Sequence, residues 1–287
     1  MKVRVGCLFE HDTVGDAAAV VMVDPHRSVG EAVLEQEFAS APPFAVSPFE
    51  DLYGNRCRRL ILPPGLSTFS YDAIVEVSPD NERMPTSADV QHRIEELPDE
   101  LLHWLLPSRY VESDVLAERA WEYFGNTLPG VERVQAVCDW IHENIAYGVA
   151  SVQSTTTLEI YERRGGMCRD FAHLGVTFCR GLGIPARYVF GYMPDIGIPG
   201  PFPTMDFHAW FEVYLGNRWW TFDARFNTPR IGRIAIGHGR DAADVAMITT
   251  FGAASLRRMV VWSDEIGEDG LALASGAPVQ AGVTDVG

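Results

Sequence analysis

The rhythm of apolar and polar positions changes near residue 90. Before it, Lys2–Phe9 alternates, Ala18–Val23 is a run rich in β-branched residues, and Arg58–Leu62 and Ser70–Val77 are short apolar segments. Pro-Pro, Pro-Gly and Tyr-Gly-Asn turn signals separate them. Short strands divided by such turns predict a small β-sandwich-like unit over residues 1–90. Glu31–Phe38 is the exception and reads as a short helix. The polar, proline-containing stretch Asn81–Asp89 marks the boundary. Between Leu101 and Tyr147 the apolar positions fall three and four apart, most clearly at Val134, Val137, Cys138, Ile141 and Ile145, which predicts helices. From Gly267 the chain is poor in bulky apolar residues and reads as a disordered tail. The expected division is therefore a β-rich part at 1–90, a mixed part at 91–265 and a tail at 266–287.

The densest pattern lies between Gly165 and Asn227. After Gly165-Gly166, the residues Phe171, Leu174, Phe178, Cys179 and Leu182 mark a helical face, and Gly183 with Pro185 ends it. Cys168 falls in the first turn, where unpaired amide N–H groups and the positive end of the helix dipole favour a thiolate. The two glycines would let another backbone come close. Next, His208–Leu215 alternates, Gly216-Asn217 is a two-residue hairpin turn, and Arg218–Arg225 returns. A two-residue turn pairs Leu215 with Arg218, hence Trp210 with Asp223 and His208 with Arg225. Residues opposite or two apart share a face, so His208 and Asp223 become diagonal neighbours about 7–8 Å apart at Cα, within reach of an imidazole–carboxylate hydrogen bond.

Composition narrows the chemistry. The 287 residues carry a net charge of −16, which argues against nucleic acid as a partner. Five cysteines, Cys7, Cys57, Cys138, Cys168 and Cys179, form no CxxC pair and no zinc-like spacing. The charged N-terminus does not resemble a secretion signal, and the nearby apolar stretch is too short to span a membrane. The expectation is a cytoplasmic protein with neither cofactor nor metal. Lys2 is the single lysine. A preference for arginine codons explains that count more readily than the alternative, that an enzyme passing acyl groups to amines escapes cross-linking itself by lacking surface lysines.

The run G-x-C-x-D-F-A-x-L from Gly166, with C-R-G-L-G-I-P-A-R-Y-V-x-G-Y from Cys179, H-A-W-F-E-V-Y from His208 and W-x-x-F-D-A-R from Trp219, resembles the transglutaminase-like superfamily of papain-like cysteine enzymes. The likeness covers residues 95–260 and is greatest to bacterial members with an N-terminal β-domain, to which Asp51–Asn55 is also similar. It implies an α+β fold: a papain-like core whose cysteine-bearing helix packs on an antiparallel sheet. It also implies Cys168 as nucleophile, His208 as base and Asp223 as the acid that orients it. Gln153 is the side-chain oxyanion candidate by position. Cysteines at helix starts are commonly structural; the glycine pair and the same-face His–Asp hairpin set Cys168 apart. Cys138 and Cys179 fall on apolar stripes and read as core. Asp170 and His173 read as supporting residues, and Asp206, His208 and His238 lack metal-site spacing.

The expected activity is cysteine-dependent acyl transfer on amide bonds, with a peptide or protein substrate and either water or an amine as acceptor. The alternative is a non-catalytic binding module that kept the fold, whose signature would be a degenerate triad.

Overall fold

The computed structural model describes residues 1–27, 32–200, 204–267, 269–270 and 272–273. Six strands come first: β1 (Lys2–Thr13), β2 (Ala17–Val21), β3 (Ala32–Ala41), β4 (Val46–Glu50), β5 (Arg56–Leu62) and β6 (Gly65–Glu76). Short 3-10 turns at Ile94–Glu96 and Asp99–Leu105 lead to α1 (Ser113–Phe124) and α2 (Val131–Asn144). Then follow β7 (Ala146–Tyr147), α3 (Thr157–Arg163), β8 (Gly165–Gly166) and α4 (Cys168–Gly181). The strands β9 (Ala186–Tyr192), β10 (His208–Leu215), β11 (Arg218–Phe222), β12 (Ile234–Gly239), β13 (Ile248–Phe251) and β14 (Ala254–Ile266) complete the order.

Two four-stranded antiparallel sheets, ordered β14-β1-β6-β3 and β13-β2-β5-β4, bury their facing sides together. The alternation in β1 puts Val3, Val5, Cys7 and Phe9 into that shared core, where Ala17, Ala19 and Val21 of β2 also sit. Two features differ from the sequence reading. Glu31–Phe38, expected as a helix, belongs instead to β3 from Ala32 onward; this is an edge strand beside β6, and exposed Glu35 and Glu37 suit an edge that must not pair further. The second concerns residues 248–265, which the division above places with the mixed part. There β13 pairs with β2 and β14 with β1, so both strands complete the first two sheets. Most of the expected tail lies outside the described residues; among those described, Ile266 forms a bridge with Ala272.

The third sheet, β11-β10-β9-β12, is antiparallel throughout and carries α4 on one face. Helix α4 is buried on every side from Asp170 to Arg180, not along one stripe, because α1, α2 and α3 pack around it opposite the sheet. Gly175 permits the close approach, since a Cβ there would lie 2.4 Å from a Phe211 ring carbon. The arrangement is the α+β one expected, a cysteine-bearing helix on an antiparallel sheet. The sandwich joins it through polar and apolar contacts alike. The Tyr192 hydroxyl donates to the Val23 carbonyl at 2.9 Å, Asn55 Nδ2 donates to the His238 carbonyl at 2.8 Å, and Phe9 stacks on Phe207. Among the described residues no helix is long and apolar enough to cross a membrane.

Candidate active site

The hairpin β10–β11 has the register the turn dictates. Leu215 pairs with Arg218 and Phe211 with Phe222, and both turn residues take positive φ, Gly216 at 55° and Asn217 at 69°. Past Phe222 the return strand leaves the sheet, so Asp223 turns its carboxylate back toward His208. The imidazole Nε2–H donates to Asp223 Oδ2 at 2.7 Å, with both residues buried. Asp223 Oδ1 accepts from the Arg225 backbone N–H at 3.0 Å, and Oδ2 accepts from Arg233 Nη1 at 3.1 Å.

Helix α4 brings the thiol to the start of β10. Met167 is its extended cap, and the Asp170 carboxylate accepts the Met167 N–H at 2.9 Å. The glycine pair serves this cap and the small β7–β8 ladder. A Cβ on Gly166 would fall 2.6 Å from Asp170 Cβ, and one on Gly165 would fall 2.6 Å from a Val149 methyl. Side chains, more than a second backbone, are what the glycines admit. The Cys168 Sγ accepts a hydrogen bond from the backbone N–H of Ala209, the residue after His208. The thiol thus lies against the backbone of the strand that carries His208, where β11 has already left β10.

Cys168 is half-buried, whereas Cys7, Cys57, Cys138 and Cys179 are fully buried, and all five are free. The helix-start position predicts a thiolate, but burial pushes the Cys168 thiol up to about 11. The Ala209 N–H and the Arg225 cation pull it down without prevailing, and Asp206 and Asp223 oppose them. Burial also lowers His208; Asp223 raises it, and Arg233 and Arg225 push it down again. Burial disfavours ionised Asp223 as well, yet His208 and Arg233 outweigh this and hold its carboxyl well below the ordinary range. At rest the set is a neutral thiol, a neutral imidazole whose Nε2 bears the proton, and a carboxylate. Such an imidazole leaves Nδ1 unprotonated, the atom that can act as base.

Some supporting residues, Arg233 and Glu82 above all, have no mark in the sequence. Arg233 is buried and bridges Asp223 to Glu82, its Nε donating to Glu82 Oε1 at 2.5 Å, and its guanidinium lies 4.7 Å over Trp210. Glu82 comes from the stretch that reads as a mere boundary. The turn after Asp223 is fastened to α2: His142 Nδ1 contacts the Arg225 carbonyl at 2.9 Å and Asn227 Nδ2 donates to Asp139 at 2.7 Å. Arg225 itself brings Nη1 to 3.4 Å from His208 Nδ1.

Other expected residues are placed as follows. Gln153 is exposed in the loop before α3, its backbone carbonyl 3.5 Å from Arg169 Nη1. His173 is buried between Tyr110 and Tyr188, accepts the Ala242 N–H at 3.1 Å, and is pushed down to about 3 by burial, so it supports α4. Trp210 lies beneath His208 as core, while Trp219 packs apart against Trp104 and Tyr214. His238 contacts Glu212 and His26.

A helix presenting a cysteine to a histidine-bearing antiparallel sheet is the papain-like arrangement. Residues 118–224 match the sequence profile of the transglutaminase-like superfamily. A crystal structure from Cytophaga hutchinsonii, named as a candidate cysteine protease, superposes with a TM-score of 0.79 at 30% identity, covering 96% of this chain and 94% of that one. An uncharacterized protein of Mycobacterium leprae is 34% identical over 118 residues, which are 39% of this chain and 42% of that protein. The kyphoscoliosis peptidase of Homo sapiens is 29% identical over 115 residues, 36% of this chain and 17% of its own length. The chain belongs to the transglutaminase-like superfamily.

Proposed function

We propose that this protein is a cysteine-dependent enzyme that cleaves or transfers amide bonds through a thioester acyl-enzyme, with Cys168, His208 and Asp223 as its triad. One observation carries the reading: the only partly accessible thiol of the chain is hydrogen-bonded to the residue next to a histidine that a buried carboxylate holds in one tautomer. His208 Nδ1 takes the thiol proton as Sγ bonds to the acyl carbon. The backbone N–H of Cys168 faces the oxyanion that forms, and Gln153 is the side-chain candidate for the same task. His208 returns the proton to the leaving amine as the C–N bond breaks, and Asp223 stabilises the transient imidazolium. Water or an amine then attacks the thioester, His208 accepts its proton, and the thiol is restored. Because the resting thiol is neutral, the base is required for the first step and not only for the second.

Water is the acceptor we favour, since two relatives bear protease or peptidase names. The substrate is then a peptide or protein. The five free thiols suit the reducing, cytoplasmic setting we assign. The test is alkylation with a thiol-reactive probe followed by peptide mapping. Selective labelling of Cys168 that is lost in His208→Ala supports the triad; equal labelling of the other thiols refutes it. Parallel assays of peptide release and amine incorporation separate the acceptors, and Gln153→Ala lowers kcat by about 10²-fold where its amide serves as oxyanion donor.

A further inference from the structure

Arg225 borders the nucleophile, and among the described residues no ion pair answers its charge. Its guanidinium carbon lies 3.8 Å from the Tyr147 ring centroid and 4.4 Å from that of Phe226, so two aromatic faces hold it. Its backbone is fixed independently, with the N–H on Asp223 and the carbonyl on His142. The neighbouring arginines are paired: Arg233 with Glu82 and Asp223, Arg230 with Asp195, Arg169 with Asp170. Among the described residues Arg225 has no carboxylate within ion-pair distance. Asp206, the other acid acting on Cys168, binds the Phe207 N–H instead. Of the five N–H donors of Arg225, one is directed at an imidazole nitrogen.

That nitrogen is the one the chemistry needs. Asp223 occupies Nε2, so Nδ1 must receive the thiol proton, and in the resting structure it faces Arg225 Nη1 at 3.4 Å. Guanidinium prefers a carboxylate, which it binds bidentately, to a neutral imidazole.

We propose that Arg225 recognises a carboxylate on the substrate residue bordering the scissile amide, whether an acidic side chain or a free terminal carboxylate. The inference rests on Cys168 being the nucleophile. A carboxylate in the site draws the guanidinium off Nδ1, and the same event selects the substrate and frees the base. Neutral substrates leave the imidazole capped. Specificity for an anion in a protein of net charge −16 then comes from one local cation.

Iodoacetate and iodoacetamide share a leaving group and nearly a shape, and only the first carries a carboxylate. Their alkylation rates at Cys168, read by mass spectrometry of the cysteine peptide, test the proposal. The iodoacetate-to-iodoacetamide ratio is expected to fall about tenfold in Arg225→Gln, the effect of one charge-assisted hydrogen bond. Arg225→Lys should keep part of the preference, and added salt should reduce it in the wild type. Equal ratios in wild type and Arg225→Gln, with Cys168 still the labelled thiol, overturn the carboxylate site and leave the nucleophile standing. Failure of both reagents to prefer Cys168 overturns both. Should Arg225→Gln not fold, a wild-type ratio unchanged between low and high salt refutes the proposal. Matched peptides with Glu or Gln, and with free or amidated C-termini, assign the carboxylate to side chain or terminus; faster turnover of the neutral member in both pairs also overturns it.

Discussion

A methyl group added at Gly166 tests how the start of α4 is held. The new Cβ would stand 2.6 Å from Asp170 Cβ and 2.8 Å from Oδ2, well inside contact distance. Asp170 cannot swing away, because its carboxylate accepts the Met167 N–H at 2.9 Å and is paired with Arg169 at 3.2 Å and Arg163 at 3.6 Å. Overpacking of this kind costs about 1–3 kcal/mol. Displacing the carboxylate also weakens the helix cap, worth about 1 kcal/mol. Gly166→Ala should therefore destabilise by about 2–4 kcal/mol, read as a lower urea midpoint at constant m-value. It should also slow Cys168 alkylation by iodoacetamide, because Sγ moves off the Ala209 N–H. Asp170→Asn, which keeps the shape and removes the charge, should be destabilising without the steric part. A Gly166→Ala unfolding free energy within about 0.5 kcal/mol of wild type would refute the account, since so small a change is typical of sites that hold nothing.

Other perturbations have defined signs. Arg233→Met leaves Asp223 and Glu82 without their buried cation and should cost about 3–5 kcal/mol in urea unfolding. It also removes a cation that lowers His208, so the acid limb of kcat/KM should move to higher pH; a limb that stays in place contradicts the assignment of His208 as base. Asp223 and Glu212 are both held well below their ordinary carboxylate values by buried cationic partners that outweigh burial. The unfolded chain therefore binds more protons as acid is added, and stability should be full above about pH 5 and fall from there toward pH 2, with flat urea midpoints across that range counting against the pairs. Asn217→Ala forces a side-chain-bearing residue without local hydrogen bonding to φ 69° and should cost about 1 kcal/mol in the same assay, while Asn217→Gly should be nearly neutral.

The hairpin was legible because its information is local. Two turn residues fix the register as far as Phe211 and Phe222; the expected pairs Trp210–Asp223 and His208–Arg225 do not form, because the return strand leaves the sheet there, yet Asp223 still reaches His208. The start of α4 was legible for the same reason, since cap, glycines and terminator lie within one stretch of chain. That Cys168 meets the hairpin followed only from the family likeness, as no local rule relates residue 168 to residue 209. Long-range pairings were silent. Nothing near Arg233 announces Glu82, and nothing near Ala254–Ile266 announces a partner at Lys2–Thr13. The state of the thiol was misread because a helix start lowers a thiol while the cover of a whole sheet raises it, and only the packed molecule shows which prevails. The edge strand β3 was misread because its charges sit on solvent whichever element carries them.

The pairing of β14 with β1 has a consequence for biosynthesis. Strand β1 is flanked by β6, made early, and by β14, made after helix α4 and its sheet. Until residue 266 has left the ribosome, one side of β1 offers unpaired backbone donors and acceptors, the condition that invites wrong pairing. Helix α4 and its sheet are thus spliced between strands of a sandwich that closes only once residues 254–266 have been made. Chains cut short before residue 254 should misassemble and be cleared, so that few reactive thiols would ever be displayed by incomplete molecules.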